Sequence, residues 1–216
     1  MSSSITRTSA LVVGALFASG AALAGIAAEN SSTAFIGGGS IGFAPGGESN
    51  TKFGQTFLAE ESGKLQSIFV RGFYHNITHN TLQQSLRIDI FAVDAGNGLP
   101  FGPSLGGWDT PAADIPEDNT NGYLFVRGGA PVHIVAGQRY AFILGTAIPA
   151  PNEATPYSFA FTDDTYTGGI MVSWHQGTGP FPWYTYDLSF EVTVPTPGAA
   201  AFLALAGLST LRRRSR

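Results

Sequence analysis

Cysteine is absent from all 216 residues. That excludes a disulfide framework and a thiolate metal site, so a folded body must be held by packing alone. The body is poor in lysine and glutamate, residues from which helices are readily built. No long segment repeats its apolar residues at a 3.6-residue period, which disfavours crossover helices and a parallel βαβ topology. The body also has no basic stripe, helix-turn-helix pattern or arginine-rich segment, so nucleic acid is excluded as a partner. What is present in quantity is 28 glycines, 13 prolines, 16 phenylalanines and 7 tyrosines, a composition suited to short strands and turns.

Nine segments have strand character: Lys52 to Ala59, Lys64 to Tyr74, Ser85 to Val93, Tyr123 to Arg127, Pro131 to Val135, Arg139 to Gly145, Tyr157 to Phe161, Ile170 to Trp174 and Asp187 to Val194. In the last, Leu188, Phe190, Val192 and Val194 alternate with Asp187, Ser189, Glu191 and Thr193, which predicts one buried and one solvated face. Leu86, Ile88, Ile90 and Ala92 alternate with Arg87, Asp89 and Phe91 in the same way. Such strands belong to antiparallel sheets. The expected fold is therefore all-β, an antiparallel two-sheet β-sandwich, jelly-roll-like. The glycine-heavy stretch from Phe35 to Gly47 reads as a leader or loop with a short edge strand at most.

The two ends read differently. Arg7, the apolar stretch Ala10 to Phe17 and the small residues through Ala22-Leu23-Ala24 and Ala27-Ala28 have the layout of a secretory signal peptide, with cleavage after Ala24 or Ala28. A retained first transmembrane helix is the alternative, though the run is short and interrupted by Gly14, Ser19 and Gly20. At the other end stand Pro195, Thr196 and Pro197, then the apolar Ala199 to Leu211, then Arg212, Arg213, Arg214 and Arg216. Arginines directly after an apolar run hold that end on the cytoplasmic side while the body lies outside.

The Pro-Thr-Pro, apolar helix and arginine cluster together resemble the PEP-CTERM sorting signal of exported Gram-negative bacterial proteins, with Thr196 where that family carries glutamate. The resemblance implies a transmembrane sorting helix, membrane residence before processing, and an exosortase-type membrane protease as partner. A plain single-pass C-terminal anchor is the other reading of the same residues. The body is similar to the jelly-roll domains of secreted bacterial proteins, many related in shape to carbohydrate-binding modules. The likeness rests on GQTF (Gly54 to Phe57), GKLQSI (Gly63 to Ile68), IDIFAVDAGNG (Ile88 to Gly98), PVHIVAGQRYAFIL (Pro131 to Leu144), YTGGIMVSW (Tyr166 to Trp174) and DLSFEV (Asp187 to Val192). The expected organisation is a signal peptide at 1–28, a glycine-rich leader at 29–50, a β-sandwich at 51–194 and the sorting signal at 195–216. Loss of Arg7 and the four tail arginines leaves six basic residues against fifteen acidic ones, a net charge of about −9 in place of −4.

Chemistry-bearing patterns are few. Gly38-Gly39-Ser40-Ile41-Gly42 has the spacing of a nucleophile elbow but lacks the strand-to-helix context that motif needs. His75 and His79 are four apart without an adjacent glutamate, and His133 and His175 are isolated. Asp94, Asn97, Asp163 and Asp164 supply the hard oxygens calcium prefers, and they serve equally as turn residues. No pair of acids stands out as the two carboxylates of a glycoside hydrolase. The stretch Ser173 to Asp187 is the best ligand candidate: Trp174, Trp183, Tyr184 and Tyr186, with Phe181, surround a Gly/Pro loop, and aromatic faces stack on sugar rings. The same rings would equally cover the end of a core.

The expected function is that of an exported, non-enzymatic protein of the cell surface or extracellular matrix, with no cofactor; a structural calcium is the alternative to ordinary turns at the acids named above. A carbohydrate-binding module for extracellular polysaccharide is the first alternative, and a secreted hydrolase the second.

Overall fold

The fold is described from a computed structural model of the chain, over residues 24–43, 50–75, 84–115, 117, 123–126, 132–146, 157–175 and 178–195. The signal-peptide residues before Ala24, the sorting residues Thr196, Pro197, Arg212, Arg213 and Arg214, and His79 lie outside the described residues. Among the described residues no helix is long and apolar enough to cross a membrane.

The architecture is all-β, with one 3-10 turn at Ala112–Asp114. Among the described residues the strands are β1 (Ala24–Asn30), β2 (Phe35–Phe43), β3 (Asn50–Leu58), β4 (Gly63–Lys64), β5 (Ser67–Val70), β6 (Phe73–His75), β7 (Leu86–Val93) and β8 (Pro100–Thr110). They continue as β9 (Tyr123–Val126), β10 (His133–Ile134), β11 (Arg139–Thr146), β12 (Tyr157–Asp163), β13 (Met171–His175), β14 (Gly179–Trp183), β15 (Tyr186–Leu188) and β16 (Phe190–Pro195). A four-stranded sheet runs β1-β16-β5-β9, and a larger curled sheet runs β15-β12-β2-β3-β11-β7-β8 with β6, β13 and β14 attached. Strands β10 and β4 form a separate pair. Every described pairing is antiparallel, as the alternating apolar pattern requires.

The two main sheets share one apolar core. Phe190 of the smaller sheet sits 5.4 Å from Phe142 and 6.4 Å from Phe57 of the larger, ring centre to ring centre. Phe73 and Phe125 meet edge to face at 5.7 Å across the same divide. Each such ring buried contributes on the order of 1.5–3 kcal/mol relative to exposure, which suits a domain with no covalent cross-links.

The chain passes between the two sheets three times at a single corner. Strand β1 lies in the smaller sheet and β2 in the larger; β5 lies in the smaller and β6 in the larger; β15 lies in the larger and β16 in the smaller. The segment expected as one strand from Lys64 to Tyr74 is therefore broken into β4, β5 and β6, and Gly72 turns the corner with φ +64°. Polar atoms close the three crossings on one another. Arg71 N–H donates to Ser189 O at 2.9 Å, and Ser189 Oγ donates to Asn30 O at 3.1 Å. Asn30 Nδ2 donates to Leu188 O at 2.9 Å.

This corner corrects the solvated face expected for Asp187 to Val194. Leu188, Phe190, Val192 and Val194 are buried as expected, but so are Asp187, Ser189 and Thr193. The strand breaks at Ser189, where backbone groups leave one ladder for another and need side-chain partners.

The glycine-rich stretch expected as a leader with a short edge strand is the nine-residue β2, flanked by β12 and β3. Its glycines are required by the cross-strand rings: Phe161 pairs with Gly37 and Phe159 with Gly39. A Cβ on Gly39 would come within 2.7 Å of the Phe159 ring, so the aromatics occupy the room that side chains on β2 would take. Strands β8 and β14 were not expected at all. Each pairs on one side only, among the described residues, and that is where prolines such as Pro180 and Pro182 are tolerated because they donate no ladder hydrogen bond.

Candidate functional site

The aromatic stretch expected to bind a ligand falls on β13, β14, β15 and the turn between the last two. Register decides which rings meet. Met171 lies opposite Trp183 and Ser173 opposite Phe181, while Val172 lies opposite Pro182 and Trp174 opposite Pro180. Directly opposed residues share a face, so Trp183 and Trp174 point to opposite faces of the β13–β14 ladder.

Trp183 covers the end of the main core. Its ring lies 6.2 Å from Phe53, 6.1 Å from Phe161 and 5.6 Å from Tyr186, and its Nε1–H donates to Ser173 Oγ at 2.9 Å. Tyr186 packs 4.6 Å from Phe161. Beyond these half-buried rings, Tyr184 is 64% exposed and Phe181 48% exposed. They are the two rings of this stretch with substantial free face.

Trp174 belongs to a second, smaller apolar cluster on the outer face of the larger sheet. Buried Ala141, Ile143 and Val172 form its base, and Trp174 and Phe91 lie 5.4 Å apart beside it. Phe91 falls on the face of β7 expected to be solvated; an aromatic in that register was the available sign of this cluster. The four expected ligand residues therefore divide into Trp183 with Tyr186, the exposed Tyr184, and Trp174 on the other side.

Asp187, at the end of the same stretch, is buried beneath it. Its Oδ1 accepts Gln55 Nε2–H at 2.7 Å, and its Oδ2 accepts the N–H groups of Thr165 at 3.0 Å and Tyr166 at 2.8 Å. Gln55 Oε1 in turn accepts Leu188 N–H at 2.9 Å. Loss of water around the carboxylate raises its pKa above the ordinary value, against the lowering effect of those donors. Tyr166, packed edge to face on Phe190 at 5.1 Å, is likewise pushed up by burial to about 12. Its hydroxyl accepts Leu58 N–H at 3.2 Å.

The acids expected as calcium ligands sit in two places. Asp94 Oδ1 accepts Gly96 N–H at 2.6 Å and Asn97 Oδ1 accepts Leu99 N–H at 2.8 Å, the side-chain turns that shape the β7–β8 connection. Asp163 ends β12 and Asp164 follows it, both exposed. Among the described residues no three His, Asp or Glu side chains gather into a group that could hold a metal ion. His75 is buried at the end of β6, its ring 4.9 Å from Tyr157 and its Nδ1 3.0 Å from Ile115 O. His133 is exposed on β10, and His175 lies 3.3 Å from Thr51 Oγ1 through Nδ1. Ser40 lies on β2 opposite Ser158, on a regular strand rather than at a strand-to-helix turn.

No family model matches the chain, and no curated protein matches it.

Proposed function

We propose that the chain is an exported, non-enzymatic protein of the cell surface or extracellular matrix, with a jelly-roll-like two-sheet body sorted through a PEP-CTERM-like signal by an exosortase-type membrane protease. The observation that carries this reading is that the two ends of the described all-β body meet. The first rung of the β1–β16 ladder joins Ala24 to Pro195, so both ends of the described body stand at one end of one ladder, next in sequence to the segments read as signal peptide and sorting signal. The engagement of Asp187, the buried acid with the raised pKa, in three hydrogen bonds within the fold supports a structural rather than a catalytic role for it.

The test is fractionation and intact mass of the native full-length protein in a Gram-negative host with an exosortase-type system. The expected product lacks both flanks and lies at the surface or in the medium. A chain of 216 residues found free in the cytosol overturns the reading.

A second reading, glycan binding, is favoured by the free faces of Tyr184 and Phe181 beside Trp183 and Tyr186. Retention of the protein on immobilised bacterial polysaccharide, lost on Tyr184→Ala with Phe181→Ala, supports it. Unchanged retention removes those rings from consideration.

A further inference from the structure

Resting on the export reading above, we propose that the signal peptide is removed after Ala24, so that Gly25 opens the mature protein and β1 survives as its edge strand. A cut after Ala24 has small residues at the first and third positions before the scissile bond, Ala24 and Ala22, while a cut after Ala28 has Ala28 at the first and Ile26 at the third, with Ala27 between them. Sequence alone leaves these open. The fold separates them.

Strand β1 pairs with β16 through Ala24 to Pro195, Gly25 to Val194, Ile26 to Thr193, Ala28 to Val192, Glu29 to Glu191 and Asn30 to Phe190. Ala27 and Ala28 are 0% and 2% exposed, inside the apolar core. Ala27 O accepts Glu60 N–H at 2.7 Å. Cleavage after Ala28 would strip four of the six rungs, empty two core positions and leave Glu60 N–H without that acceptor. It would also bare the flank of β16 along Val192 and Val194, an open edge ready to pair with another chain. Cleavage after Ala24 removes one terminal rung and leaves the rest.

The bond broken is the Ala24–Gly25 amide: a membrane-bound signal peptidase directs water onto the Ala24 carbonyl, water supplies the oxygen of the new Ala24 carboxylate, and the Gly25 amine leaves with a proton. The cut falls on the unfolded chain during export, before β1 docks. Because Gly25 lies opposite Val194, the new amino terminus stands one residue from Pro195, where the sorting segment begins. Both processing points therefore share one end of one ladder.

N-terminal sequencing and intact mass of the exported native protein test this directly, alongside the full-length variant Ala24→Phe, which places a bulky ring where the peptidase needs a small residue. The expected first residue is Gly25, and Ala24→Phe should reduce processed, exported protein at least tenfold with the precursor accumulating at the membrane. An exported protein beginning at Ala28 or Glu29, or an Ala24→Phe variant that yields the same mature N-terminus as the parent, overturns the site while leaving export intact. Unprocessed parent chain in the cytosol overturns the export reading and the site with it.

Discussion

Replacing Gln55 by Ala tests the polar corner most sharply. Gln55 is fully buried on β3 and makes two contacts: it donates to Asp187 Oδ1 at 2.7 Å and accepts Leu188 N–H at 2.9 Å. The first is a hydrogen bond to a charged group, worth about 1.5–3 kcal/mol; losing the second leaves a buried amide unsatisfied, at about 1–3 kcal/mol. With partial relaxation the variant should lose about 3–5 kcal/mol, a large share of the roughly 5–15 kcal/mol that holds a domain folded. The loss carries a pH signature. Asp187 has a folded pKa above its unfolded one, so its contribution to stability is fully present below the ordinary carboxylate value of 3.8 and is lost as pH rises through the raised value. Removing the Gln55 donor raises that pKa further, so Gln55→Ala should cost more at pH 8 than at pH 4. Urea unfolding of the parent, Gln55→Ala, Asp187→Ala and the double variant at both pH values provides the measurement, with the two single losses expected to exceed the loss in the double. A loss below about 1 kcal/mol, equal at the two pH values and additive with Asp187→Ala, would refute the account.

Three further outcomes follow from the same geometry. Phe190→Ala removes the ring that joins Phe57, Phe142 and Tyr166 across the two sheets, and chemical denaturation should show a loss of about 3–5 kcal/mol. Trp183→Ala should destabilise by a comparable amount, because its ring packs on Phe53 and Phe161, whereas Tyr184→Ala should change stability by no more than about 0.5 kcal/mol; equal effects in thermal melts would contradict the separation of core cover from free face. Ultraviolet absorbance titration should find Tyr166 ionising near 12 rather than 10, with its stabilising contribution intact below pH 10 and lost as pH rises through 12; the difference between the titrations of the parent and Tyr166→Phe isolates that step.

Alternation made much of the fold readable. Strand β7 follows its pattern from Leu86 to Ile90, with Leu86, Ile88 and Ile90 buried and Arg87 and Asp89 half-buried, and departs from it at Phe91 and Ala92, which are equally half-buried; β3, β9, β11, β12 and β13 lie close to where apolar runs predicted them. Four strands escaped: β1 falls in residues read as the end of the signal peptide and the start of the leader, and the other three escaped for two physical reasons. Gly37 and Gly39 are strand residues because Phe161 and Phe159 pair with them, across 124 and 120 positions of sequence. Strands β8 and β14 contain prolines, which read as breaks until their edge positions are known. The candidate site was half readable. Its rings were identifiable as a group, but whether Trp174 and Trp183 converge depends on the parity of the β13–β14 register, which residue types do not encode.

The absent cysteines and the buried acid belong to one problem. A chain that crosses between two sheets at Asn30, at Arg71–Gly72 and at Ser189 takes backbone groups out of their ladders at each crossing, and a cross-link is one way to hold such a corner. Here hydrogen bonds hold it instead: Asn30, Ser189 and Gln55 partner backbone groups at the crossings, and Asp187 anchors Gln55 and the backbone of Thr165 and Tyr166. A buried carboxylate with a raised pKa commonly marks catalysis, because active sites need such groups. At this corner the oxygens of Asp187 are occupied by a side-chain amide and two backbone N–H groups, so the shift records the burial of a structural anchor. Interaction with other molecules is therefore to be sought at the free faces of Phe181 and Tyr184 and at the shared end of β1 and β16, where Gly25 and Pro195 meet.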